Sequence, residues 1–233
     1  MKTVSTAENL CVIYEDNHLI IINKRAGDIV QGDKTGDAPL SEIVKAYLKK
    51  KYNKPGEVFL GVVHRLDRPT TGIVVFARTS KALTRLNALF AEKTAVEKTY
   101  WAVTDALPPA NSGTLTHWLT RNSEKNKSTA HAKEVSGSKK AVLHYKVLKQ
   151  LQNYYLIEVE LVTGRHHQIR AQLAGVNCII KGDLKYGAKR SNPDGSIHLH
   201  ARKLSFIHPV KKERVEFVAS LPDDSVWKAC ETD

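Results

Sequence analysis

Short apolar runs rich in β-branched residues, separated by polar loops, recur along the chain, and they constrain it to build around a β-sheet. Residues 10–14 and 19–23 read as two strands joined by Glu15-Asp16-Asn17-His18. Residues 58–63, 73–77, 98–104 and 214–219 have the same character, and a further strand falls within 198–206. Alternation over 141–149 and 154–161 marks an antiparallel pair turning at Leu151-Gln152-Asn153. Helical spacing appears at Leu40, Ile43, Val44, Tyr47 and Leu48 behind Pro39, and at Leu83, Leu86, Leu89 and Phe90 behind a cap at Thr79 or Ser80. A third helix is expected from a Thr163 cap to Gly175, with Arg165 in its first turn and Ile169 and Leu173 on one face. The expected class is α+β: a mixed, largely antiparallel β-sheet with a few flanking helices. Residues 1–9 are expected as a flexible tail and residues 10–233 as one domain. The Lys-, Ser- and Asn-rich stretch 121–140 is expected as a mobile basic loop with room for a short strand pair.

Between the runs 58–63 and 73–77 lies the most unusual stretch, His64-Arg65-Leu66-Asp67-Arg68-Pro69-Thr70-Thr71-Gly72. Pro69 biases Arg68 to extended backbone, and Gly72 can adopt a positive φ. Asp67 stands between two arginines, and a carboxylate close to guanidinium groups stays ionised. Two readings are open on these residues alone: a salt-bridged structural turn, or an ionised Asp serving as nucleophile, electrostatic stabiliser or base.

Charge narrows the partners. Lys and Arg number 36 against 24 acidic residues, a formal +12, which points to a polyanion, nucleic acid first. Strongly apolar stretches such as residues 19–22 are far below the roughly 20 residues of a spanning helix, and no signal-peptide pattern is visible, so no membrane role is expected. Cys11, Cys178 and Cys230 are scattered and form neither a disulfide framework nor a zinc pattern, as in a reduced, cytoplasmic protein. No metal is expected: His166 and His167 should diverge on a helix, and His198 and His200 lack an acidic or thiolate third ligand at usual spacing. Phosphate-binding GxxxxGK[ST] and GxGxxG signatures and the GxSxG hydrolase elbow do not occur. A monomer is expected, for want of a surplus apolar surface.

Five blocks in order carry a family resemblance. Residues 64–76, HRLDRPTTGIVVF, resemble the HRLD-x-x-T-S-G motif of RluA-type pseudouridine synthases. Residues 13–27, IYEDNHLIIINKRAG, are similar to the first strands of that family's catalytic domain, and Lys98-Thr99-Tyr100 looks like its K-x-Y. Residues 163–170 look like its TGR-x-HQIR, and residues 182–187 with 198–209 look like its closing GD-x-x-YG and LHA…L-x-F-x-HP segments. Arg25 stands where the family commonly has Pro, and Thr71 where it has Ser. Larger family members carry an N-terminal S4-like RNA-binding domain, for which this chain is expected to have no room.

The resemblance implies the pseudouridine synthase fold with a central active-site cleft, and isomerisation of uridine to pseudouridine in rRNA, tRNA or both. The bond to N1 breaks, the uracil rotates, and a carbon–carbon bond to C5 forms. Asp67 matches the catalytic aspartate, as nucleophile or as base at the ribose. Tyr100 matches the tyrosine that stacks on the base and serves in proton transfer, and Arg165 matches the arginine that pairs with the aspartate. Arg65, Arg68 and His64 are assigned to RNA binding, the arginines to phosphates or to the space left by an everted nucleotide, since a stacked base must be flipped out to be reached. No metal or organic cofactor is implied. The competing reading is a noncatalytic RNA-binding or ribosome-associated module on the same fold.

Overall fold

The run Leu19-Ile20-Ile21-Ile22 is wholly buried, and it forms the heart of a strand in the computed structural model, which describes residues 4–32, 36–92 and 95–231. In chain order the elements are β1 (Val12–Glu15), β2 (Leu19–Lys24), α1 (Leu40–Lys51), β3 (Gly61–Val62), β4 (Thr71–Ala77) and α2 (Ser80–Ala91). They continue with β5 (Val96–Thr104), β6 (Ser112–Asn122), β7 (Lys127–His131), β8 (Lys139–Gln150), β9 (Tyr155–Leu161) and α3 (Gln168–Gly175). A 3-10 turn (Leu184–Tyr186), β10 (Leu199–Ile207), β11 (Arg214–Val218) and α4 (Ser225–Glu231) complete the described chain. The class is α+β, as expected. By internal contacts the chain divides into two units, one of Met1–Glu97 with Ala201–Pro222 and one of Lys98–His200 with Asp223–Asp233.

In the first unit the sheet order is β1-β2-β4-β10, with β3 also on β4 and β11 also on β10. The pairs β1–β2, β2–β4, β3–β4 and β10–β11 are antiparallel. Residues alternate between two cores. Leu19, Ile21, Ile73, Val75 and Ala77 face Ala82 and Leu86 of α2, while Ile20, Ile22, Val74 and Phe76 face Leu40, Val44 and Leu48 of α1. A helix on each face explains why β2 and β4 read as continuous apolar runs rather than alternating ones. Thr79 caps α2 by accepting the Ala82 N–H at 3.1 Å. Within the stretch expected as a tail, Ser5 is buried and binds both carboxylate oxygens of Asp28, through its N–H (3.0 Å) and its hydroxyl (2.6 Å). Residues 1–3, and residues 33–35 of the glycine-rich loop, lie outside the described residues.

The second unit has the sheet order β5-β9-β8-β6-β7, antiparallel throughout. Ile169 and Leu173 of α3 pack on Leu115, Leu143, Ile157 and Val159, with Leu199 in the same core. Three expectations are corrected here. The stretch 121–140 holds the short strand pair for which there was room, and less loop than expected: the end of β6, a turn at Ser123–Asn126 and all of β7 leave residues 132–138 irregular before β8, because main-chain pairing of Arg121 with Ser128 and Asn122 with Lys127 supplies the order that apolar residues do not. The third helix starts at Gln168 rather than next to Thr163, because His167 adopts the left-handed conformation (φ 52°). His166 and His167 therefore lie in a turn, and their rings stack at 3.9 Å instead of diverging.

Candidate active site

Asp67 sits half-buried in the connection from β3 to β4 and accepts the Thr70 N–H through its carbonyl at 3.0 Å, closing a turn around Arg68 and Pro69. This turn is tied down from inside the protein. Lys24, the last residue of β2, is 1% exposed, and its ammonium donates to the carbonyls of Arg25 (2.9 Å), Arg68 (3.1 Å) and Thr70 (2.7 Å). Three acceptors match the three donors of an ammonium, the condition under which a buried lysine is tolerated. The Gly27 N–H adds a bond to the Arg68 carbonyl at 2.8 Å. At the far end of the turn Gly72 has φ +110°, and a Cβ there would lie 2.4 Å from the Ala201 carbonyl oxygen, so only glycine fits.

The neighbours of Asp67 differ in what they do. His64 Nε2 accepts the Val75 N–H at 3.1 Å, and the ring stacks on Phe90 at 5.0 Å. Its imidazole thus continues on β4 where the short β3 has ended, and the accepting nitrogen carries no proton. Arg68 is bonded to the Asp37 carboxylate in a partly exposed pair. Arg65 is exposed.

In the second unit Tyr100 is half-buried on β5, opposite Val159 of β9, and packs on the core around Ala102 and Ile157. Lys98 lies two residues earlier on the same strand, and burial pushes its ammonium below the ordinary lysine range. Trp101 points the other way and donates from Nε1 to Glu158 at 3.3 Å.

Arg165 is exposed, and its Nε donates to the Lys140 carbonyl at 3.1 Å. Its backbone is set by Gln168, 3% exposed, whose Oε1 accepts the Arg165 N–H (2.9 Å) and the Thr163 hydroxyl (2.8 Å) while Nε2 donates to the Val142 carbonyl (3.0 Å). Thr163 therefore serves Gln168 and accepts the Val142 N–H at 2.9 Å, rather than capping the helix as expected. Beneath this loop runs a buried chain. Arg170 donates through Nε and Nη2 to the two oxygens of Asp183 at 2.7 and 2.8 Å, and its Nη1 donates to His167 Nε2 at 3.1 Å. His167 Nδ1 then donates to the Tyr186 hydroxyl at 3.0 Å, which also accepts the Ser128 N–H at 2.9 Å. Burial first, then the charge of nearby Arg170, repulsion from His166 if that ring is protonated, and the Lys185 and Arg121 cations, hold the His167 pKa down to about 2, so the ring is neutral.

Sequence reasoning singled out Asp67, Tyr100 and Arg165 but missed that Lys24 holds the backbone of the Asp67 turn and Gln168 that of Arg165, and missed the buried Arg170–Asp183 pair. A signal existed, since all four residues stand in the recognised blocks. Among the described residues no group of three or more His, Cys, Asp or Glu side chains is placed to hold a metal ion, and no helix is long and apolar enough to cross a membrane.

A family model described as RNA pseudouridylate synthase matches residues 18–175, a span that holds Asp67, Tyr100 and Arg165. Ribosomal large subunit pseudouridine synthase D of Zymomonas mobilis subsp. mobilis is 33% identical over 223 residues, 91% of this chain and 69% of the relative. Ribosomal large subunit pseudouridine synthase C of Rickettsia prowazekii is 35% identical over 213 residues, 91% of this chain and 68% of the relative. A solved structure, human RNA pseudouridylate synthase domain containing 4, matches with a TM-score of 0.80 at 26% identity, covering 95% of this chain and 93% of that one.

Proposed function

We propose, given that the chain belongs to the RNA pseudouridylate synthase family and is an isomerase of that kind, that it converts specific uridines of ribosomal RNA to pseudouridine with Asp67 as the catalytic aspartate. The observation that carries the assignment is the anchoring of the Asp67 turn by a buried ammonium on three carbonyls. A turn fixed in this way holds its carboxylate in one position, which is what a reaction dependent on alignment requires.

In this reading Asp67 acts at the ribose, as nucleophile or base, once the target nucleotide has been everted from its stack. Tyr100 stacks on the uracil and its hydroxyl takes part in proton transfer. Arg165 keeps the aspartate ionised by Coulomb attraction. Arg65 binds RNA phosphate, and Arg68 does so by exchanging the Asp37 carboxylate for phosphate, a change of partner that an exposed pair permits at little cost. His64 acts on the RNA through the loop it holds against Val75. The enzyme works in the cytoplasm as a monomer and needs no cofactor. Ribosomal RNA is preferred to tRNA because the named relatives are ribosomal large subunit synthases.

Pseudouridine mapping in cells with and without the gene tests this. Loss of one or more ribosomal sites, restored by the wild-type gene, is expected. Unchanged ribosomal RNA together with a lost tRNA site would move the substrate to tRNA, and no lost site in any RNA would overturn the proposal.

A further inference from the structure

Residues 4–9 precede the first strand and fasten onto the loop that follows β2, all within the first unit. Asn9 folds this segment on itself: its Oδ1 accepts the Thr6 N–H (2.8 Å) and its Nδ2 donates to the Val4 carbonyl (3.3 Å). Two grips join the segment to the loop. Ser5, 4% exposed, donates its N–H to Asp28 Oδ1 (3.0 Å) and its hydroxyl to Oδ2 (2.6 Å), and Arg25 Nη2 donates to the Asn9 carbonyl (2.9 Å). Asp28 is itself 5% exposed, makes no ion pair among the described residues, and has one further donor, the Arg25 N–H at 3.3 Å. A buried carboxylate without a cation depends on its hydrogen bonds, and Ser5 supplies the two shorter ones. Arg25 is one of the departures from the resembled motifs, and a proline in its place would supply neither the N–H nor the guanidinium.

The same loop holds the Asp67 turn. Lys24 and Gly27 donate to the Arg68 carbonyl at 3.1 and 2.8 Å, and Lys24 also donates to the Arg25 carbonyl at 2.9 Å. Residues 25 and 28 thus bind the N-terminal segment, while residues 24 and 27 bind the turn, with Gly27 at φ +94° between them. We propose that residues 4–9 are a strap that positions the Asp67 turn, with Ser5, Arg25 and Asp28 as positioning residues for the reaction. The proposal rests on Asp67 carrying the chemistry. Releasing the strap leaves the Asp28 carboxylate buried with one long hydrogen bond, a state it relieves by turning toward water. Gly27 is the adjacent residue, so that movement draws its N–H from the Arg68 carbonyl and loosens the turn. The Lys50–Glu8 pair at 3.3 Å, exposed on both sides, lies off this path.

The test compares the whole wild-type chain with the double variant Ser5→Ala, Arg25→Ala, by tritium release from 5-labelled uridine in RNA and by amide hydrogen exchange. In the double variant kcat falls by about 10-fold or more while KM for RNA stays within about 2-fold, because alignment is lost and binding is not. Exchange at the Gly27 and Thr70 amides quickens by about 10-fold or more relative to the amides paired between β2 and β4. Ser5→Thr with Arg25→Lys keeps a hydroxyl and a cation and returns kcat to within about 3-fold of wild type. Glu8→Gln, at the exposed pair, matches wild type in every measurement. If the double variant does not fold, Ser5→Ala and Arg25→Ala are each expected to show about 3-fold effects in the same direction. A variant that is less stable in urea yet keeps the wild-type kcat and exchange ratio would reduce the strap to a structural clasp and overturn the proposal. A loss seen in KM alone, or no recovery in the conservative pair, would overturn it too. A wild type that releases no tritium from any RNA, with Gly27 and Thr70 still loosened in the variant, would instead refute the proposed function and leave the strap's hold on the turn standing.

Discussion

Lys24→Met should separate positioning from chemistry. The substitution keeps the buried stem but deletes the ammonium, leaving the Arg25 and Thr70 carbonyls without the donors seen at 2.9 and 2.7 Å, while the Arg68 carbonyl retains the Gly27 N–H at 2.8 Å. Each buried acceptor left unsatisfied costs about 1–3 kcal/mol, and the apolar methyl recovers under 1 kcal/mol, so a loss of about 2–5 kcal/mol is expected. A domain with 5–15 kcal/mol of stability, the usual order, remains folded in the cold after that loss. The Asp67 turn, released from its anchor, shifts by a fraction of an ångström, and kcat falls by roughly 10²-fold while KM for RNA changes little. Urea unfolding gives the first quantity, and tritium release from 5-labelled uridine in RNA, at a temperature where the variant is folded, gives the second. A variant with stability within about 1 kcal/mol of wild type and an undiminished kcat would refute the reasoning, because it would show that the Arg25 and Thr70 carbonyls need no donor and that the turn holds itself.

Two further outcomes follow from the buried network under α3. Asp183→Asn leaves Arg170 charged and buried beside a neutral amide, and should destabilise the protein by about 3–5 kcal/mol in urea unfolding, whereas Arg170→Met with Asp183→Leu together should lose much less; equal losses would show that the pair is not coupled. His167 is held neutral, its pKa lowered to about 2 from the ordinary 6.5. Between those two values the unfolded chain binds a proton that the folded one does not, so its contribution is complete above about pH 6.5 and declines as pH falls, by about 2 kcal/mol at pH 5. His167→Asn should lack that part of the pH dependence, and an unaltered stability profile between pH 7 and 5 would show that another group is responsible.

What was legible in the chain depended on where the ordering forces lie. β2 and β4 declare themselves because a helix covers each face and their central runs, residues 19–22 and 73–77, are apolar at every position. Most of β6 escaped notice because only Leu115 and Leu119 of its residues are buried, and β7 was legible only as room for a short strand pair because its Lys-Ser-Thr-Ala-His sequence owes its strand to pairing with β6. α3 starts late because a left-handed His167, favoured by bonds to Arg170 in the following turn and to Tyr186 19 residues along the chain, interrupts what looks like continuous helix from Thr163. At the site, residue types marked Asp67 as unusual, but its anchor Lys24 lies 43 positions earlier, at the end of a strand, and nothing local to it signals burial. α4, placed by Trp227 stacking on His198 at 5.1 Å, is likewise a product of tertiary contact rather than of its own short sequence.

The central claim, that Asp67 performs the chemistry, is tested most directly by tritium release from 5-labelled uridine in ribosomal RNA by purified wild-type protein and Asp67→Asn. Release by wild type, with none above background from an Asp67→Asn protein that is folded and binds the RNA with wild-type affinity, is the predicted result. Equal release by the two proteins would contradict it.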